Sequence, residues 1–161
     1  MRRLLACAML LVCTAGAGLA DDGWSRYLNA RYGYGTDIPP GFSAIREADN
    51  GDGGVSRAAD GQSELAVWGA SLLNQTLPSE VQTRISRDEE DGWQIGYKKL
   101  SGNWASWSGE REGHIYYARA ITLCHDDEAA YFRIEYPAAA REAFDPVVQR
   151  LVKNFKRTDC E

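Results

Sequence analysis

Two histidines, two pairs of cysteines and a knot of aromatic residues are the places where this sequence could do chemistry. His114 follows Glu110 and Glu112 within four residues. An imidazole beside a carboxylate is the minimal set for general acid–base work. His125 stands next to Cys124, which are the residue types of a metal pair, but no nearby Asp, Glu or Cys falls at metal spacing on one helical face with them. Serines are plentiful, yet none sits in a G-x-S-x-G elbow. No G-x-G-x-x-G opens a helix after a strand, so a phosphate cradle is not expected. The acidic, glycine-rich run Glu47–Gly54 fails the EF-hand spacing from every starting point and reads as a turn. The sequence therefore implies no metal, no cofactor and no catalytic set. A small envelope enzyme using His114 with Glu110 or Glu112 stands only as an alternative.

Trp104, Trp107, Tyr116 and Tyr117 lie close together around the glycine-bounded run 102–113. Rigid amphipathic rings of this kind anchor interfaces, which makes the four a candidate face for a protein partner or small ligand. Cross-strand packing beneath a helix would use the same residue types.

The cysteines bear on compartment. Met1-Arg2-Arg3 is a positive start, Leu4 to Val12 is apolar, and Gly18-Leu19-Ala20 offers small residues before a cut. That is the pattern of a secretory signal peptide over residues 1–20, with cleavage after Ala20, and its apolar run is too short to span a bilayer. Cys7 and Cys13 leave with it. Cys124 and Cys160 remain, and in an exported chain such a pair reads as a disulfide closing 35 intervening residues. The expected location is the periplasm or the exterior, with no stable membrane insertion after cleavage.

Residues 21–161 are then one domain. It carries 16 basic against 23 acidic groups once Arg2 and Arg3 are gone. No basic block stands out, so nucleic acid is not an expected partner. An acidic, small, disulfide-stapled protein also suits a periplasmic inhibitor or immunity protein for a basic enzyme.

The elements that would position these residues can be read from periodicity. Tyr34, Thr36 and Ile38 alternate with Asp37 as in a strand, which Pro39-Pro40-Gly41 ends. Asp60-Gly61 between two strand-like runs predicts a hairpin, with 62–70 covered on both faces. Ser79-x-x-Gln82 after Pro78 resembles a capping box and predicts a helix over 80–90, stopped by Gly92. Strands are expected at Trp93–Tyr97, His114–Leu123 and Tyr131–Tyr136 as an antiparallel meander. Trp104 and Trp107 fall in a polar, small-residue run with no strand pattern. Asp145-Pro146 has the form of an N-cap and N1 pair, and Val148, Leu151, Val152 and Phe155 make one apolar helical stripe. Together these give an α+β fold, mainly antiparallel sheet flanked by helices.

The run NARYGYGTDIPPGF, then NGDGG, S-x-x-x-DG-x-x-x-LAVWG and the closing YP…FDPVVQRLVKNF resemble a group of short bacterial exported proteins of the PsbP-like α/β/α sandwich superfamily. The resemblance spans about Tyr27 to Phe155, and its motifs are structural. It implies a PsbP-like sandwich and, because better-known members are protein-binding or accessory subunits without a shared catalytic set, a non-catalytic binding or accessory role.

Overall fold

The computed structural model describes residues 23–124 and 127–158. The leader with its cut after Ala20, His125 and Cys160 lie outside these residues. The chain opens with a hairpin, β1 (Ser25–Asn29) against β2 (Tyr34–Ile38). A two-residue strand β3 (Arg46–Glu47) pairs with β4 (Gly53–Arg57), which returns through Asp60-Gly61 into β5 (Glu64–Ser71). Helix α1 (Leu77–Glu90) follows. Strands β6 (Gln94–Leu100), β7 (Trp104–Arg111), β8 (His114–Thr122) and β9 (Glu128–Pro137) run as an antiparallel meander. A 3-10 turn at Ala138–Ala140 leads into α2 (Arg141–Asn154), and β10 (Lys156–Arg157) follows.

Seven strands form one antiparallel sheet in the order β3-β4-β5-β9-β8-β7-β6; β1, β2 and β10 form a second, smaller one. Alternation along the strands sorts the core into two halves. Ala105, Trp107, Tyr116, Ala118, Ala120 and Tyr131 face α1, whose Leu77, Val81 and Ile85 lie on them. Leu65, Val67, Phe132 and Ile134 face the other way, where Leu151 and Phe155 close over them with Tyr34 of β2. The result is a helix, a large sheet, then a helix with a small sheet: the expected α+β sandwich.

Three local expectations change. The helix over 80–90 starts earlier, at Leu77, because Thr76 is the N-cap: its hydroxyl accepts from the Ser79 amide and Pro78 sits in the first turn, where no N–H is needed. Helix α2 likewise begins at Arg141, so Pro146 lies inside it, in the second turn, and Asp145 is no cap. The polar run containing Trp104 and Trp107 is a full strand, β7, between β6 and β8. Its small residues are there because neighbours fill the space. A Cβ on Gly109 would stand 2.9 Å from the Tyr116 ring, and Ser106 accepts from Arg119 at 3.0 Å.

Asp37, only 8 % exposed, fastens α2 to the small sheet. It accepts from Arg26 at 3.1 Å, Arg150 at 3.0 Å and Asn154 at 2.6 Å. Burial pushes its pKa up, but the hydrogen bonds from Arg150, Asn154 and Arg26 outweigh it and hold the carboxyl below its ordinary value. A depressed carboxyl stabilises the fold above its unfolded pKa, near 3.8, and loses that contribution as pH falls through the lower folded value. Asp37→Asn is therefore expected to unfold more easily than wild type near neutral pH, with the difference narrowing in acid. Urea midpoints across pH check this; a difference that stays constant below pH 3.8 would contradict it.

Candidate functional site

The register of β7 against β8 pairs Ser108 with Tyr117, Gly109 with Tyr116 and Trp107 with Ala118. Adjacent residues point to opposite sides of a sheet, so the four candidate aromatics cannot share one face. Trp107 and Tyr116 point toward α1 and are 2 % and 0 % exposed. They are corrected from candidate binding residues to core. Both donate to one carboxylate: Asp88 Oδ2 accepts from Trp107 Nε1 at 3.2 Å and from the Tyr116 hydroxyl at 2.6 Å. Arg133 donates to the other oxygen at 2.8 Å and lies over the Tyr116 ring, 3.7 Å from its centroid. Burial, reinforced by the Asp88 carboxylate, pushes the Tyr116 phenol far above its ordinary pKa. This cluster cements helix to sheet and offers no open site.

Trp104 and Tyr117 stand on the opposite face, with Ser106, Ser108, Arg119 and Ile121. Here α2 covers β9 and only part of β8, so the outer strands of the meander are left open. Tyr97 of the edge strand β6, 43 % exposed, stacks on Tyr117 with centroids 6.4 Å apart. Trp104 carries two cations at its ring: Arg119 Cζ at 4.8 Å and Lys99 Nζ at 5.4 Å. A cavity of about 520 Å³ opens beside them, walled by Trp104, Arg119 and Ile121 from the sheet and by Phe155, Lys156 and Arg157 from the tail. Lys156 and Arg157 sit in β10, which pairs with Tyr34 and Gly35. Arg119 gives one hydrogen bond to Ser106, and its Nε is buried with no partner. Burial draws its pKa down, with Tyr117 and Tyr97 pulling the other way; a guanidinium stays charged regardless.

The Glu110 half of the acid–base alternative is not assembled. Glu110 pairs across the strands with Ile115 and His114 with Arg111, which puts the imidazole and the Glu110 carboxylate on opposite faces. Glu110 accepts from Arg141 at 3.1 Å instead. Glu112 sits at the tip of the β7–β8 turn, at φ +49°. Among the described residues no group of three or more His, Cys, Asp or Glu could hold a metal ion, and no helix is long and apolar enough to cross a membrane. Cys124 Sγ lies 3.8 Å from the Thr158 carbonyl, so the tail comes back to Cys124 two residues before Cys160.

The residues missed by sequence reasoning are the cations. Arg119 interrupts the apolar strand IYYARAITL, and a charge inside such a run was the signal available. Lys99 and the tail pair could not be placed without the fold.

No family model and no curated protein matches the chain. Solved structures do. The solution structure of cyanobacterial PsbP (CyanoP) from Synechocystis sp. PCC 6803 is 14 % identical, with 90 % of this chain and 98 % of that one covered and a TM-score of 0.63. The crystal structure of the Saccharomyces cerevisiae Ran-binding protein Mog1p is 15 % identical, with 84 % and 96 % covered and a TM-score of 0.62. At such identities the likeness is one of fold. The chain has the PsbP-like and Mog1-like α+β sandwich, as its sequence motifs imply.

Proposed function

We propose that this protein is a non-catalytic binding protein of the periplasm or cell exterior, and that the open face of β6, β7 and β8 is its recognition surface. The observation that carries the reading is the Trp104 ring with Lys99 and Arg119 close to it beside a cavity, on sheet area that α2 leaves uncovered. Aromatic and Arg anchors at the mouth of a preformed concavity are what recognition sites use. One structural neighbour, Mog1p, is a Ran-binding protein, so the fold serves a protein partner in that case. The support for an exported location is sequence alone: the leader pattern over residues 1–20 and the cysteine pair, Cys124 and Cys160, expected to form a disulfide. An inhibitor of a basic enzyme fits this face less well: the chain is acidic overall, but this surface is cationic.

Crosslinking capture with the tagged mature protein tests the reading. Trp104 is partly buried at the start of β7, so Trp104→Ala is expected to cost only about 1–2 kcal/mol, well short of a core tryptophan. It should still fold by circular dichroism yet lose the captured partner. A partner retained in full by folded Trp104→Ala would contradict the assignment.

A further inference from the structure

The charge around the cavity points to what it takes. Lys99, Arg119, Lys156 and Arg157 gather at one end of the open face, in a chain whose formal charge is −5. None of the four has a carboxylate partner among the described residues, whereas Arg26, Arg57, Arg84, Arg133 and Arg141 each have one. Like charges this close repel, and an anion between them relieves that repulsion. Arg119 is partly buried and gives one hydrogen bond, from Nη1 to Ser106, which leaves its other Nη donors for an anion in the cavity. The rest of the wall combines the flat or apolar Trp104, Ile121 and Phe155 with the uncharged polar Asn103, Thr122 and Thr158. The volume, about 520 Å³, is of the order that holds a small molecule.

We infer that this cavity binds a small organic anion, a carboxylate or phosphate attached to a flat apolar body. The body lies along Trp104, and the charged group is held by Arg119 with Lys156 and Arg157. The inference rests on reading the open face as the recognition surface, and it adds the class of ligand. Arg119 has unused donors in a planar fork suited to two oxygens, which favours these headgroups over halide-like ions.

Calorimetric titration of the mature protein with benzoate, phenyl phosphate and the neutral benzyl alcohol tests it. Benzoate or phenyl phosphate should bind saturably, with Kd about 1 mM or tighter at low salt, and benzyl alcohol should not. Whichever anion binds more tightly identifies the headgroup. Arg119→Gln should weaken the anion roughly tenfold or more, and Arg157→Gln, on the exposed tail, by roughly threefold. The second variant keeps the test valid if the first fails to fold. No saturable binding, equal binding of benzyl alcohol, indifference to both variants, or binding only of a glutamate-rich peptide would each overturn the inference. Partner capture lost in Trp104→Ala without anion binding leaves the recognition face standing and removes only the ligand class; capture indifferent to Trp104 with no anion binding removes both.

Discussion

Asp88→Ala is expected to lower the unfolding free energy by about 3–5 kcal/mol, the cost of breaking a largely buried charge pair from one side. Leu77, Val81, Ile85 and Asp88 follow one another on the inner stripe of α1, so the carboxylate ends an apolar row and reaches the sheet. An anion in the last turn of a helix opposes the dipole there. Asp88 is held nonetheless because Arg133 meets it from β9 while Trp107 and Tyr116 fill its second oxygen. Truncation strands all three donors in a nearly dry layer: side-chain exposure is 24 % for Arg133 and 15 % for Asp88. Asp88→Asn keeps an acceptor for the two aromatic donors but leaves Arg133 with only its longer contact to Glu135, 3.8 Å, and should fall between. Glu89→Ala, on the exposed side of the same turn, should stay within about 0.5 kcal/mol of wild type. Denaturant unfolding gives the comparison directly. A loss below about 1 kcal/mol for Asp88→Ala would mean that the cluster is not the cement between helix and sheet.

On the proposed Cys124–Cys160 disulfide, Cys124→Ser is expected to cost about 3–4 kcal/mol, from the entropy of a loop closed over 35 intervening residues. The same tail is held by short-range bonds: the Thr158 amide and hydroxyl both donate to the Gly33 carbonyl, at 2.7 and 3.1 Å. Gly33 lies at φ +62°, and a Cβ there would stand 2.9 Å from the Thr158 hydroxyl, so the turn is shaped to receive the tail. Because Phe155, Lys156 and Arg157 wall the cavity, releasing the tail should also weaken ligand binding. Reduction of the wild-type protein should reproduce both effects. Thiol labelling of the denatured, unreduced mature protein should find no free cysteine; two labelled cysteines would rule the pairing out.

Much of the architecture was legible because it rests on local signals. Asp60-Gly61 gave its hairpin, the Val148–Phe155 stripe gave the face of α2, and Tyr34–Ile38 gave a buried strand. Strand β7 was not legible. Its Ser and Gly positions are set by Tyr116 and Arg119 on the next strand, which is a tertiary cause with no period in the sequence. Helix starts slipped for a similar reason: Pro146 resembles an N1 proline, but the 3-10 turn at Ala138–Ala140 had already begun the helix. The four aromatics divide between the two faces of the sheet. Trp104 and Tyr117 do mark the open face, while Trp107 and Tyr116, one pleat away, belong to the core. Their proximity in sequence concealed the alternation that separates them. Arg119, Lys99, Lys156 and Arg157 come from three separate strands of the two sheets, and only the fold brings Arg119, Lys156 and Arg157 to one cavity with Lys99 near its Trp104 wall.

The central claim is that partners and ligands meet the β6–β8 face and not the helical side. A photo-crosslinking residue placed at Tyr97 on that face, and separately at Gln149 on the exposed side of α2, tests it in intact exporting cells. The account predicts an adduct from position 97 and none from position 149. An adduct from 149 alone, or equally from both, would contradict it.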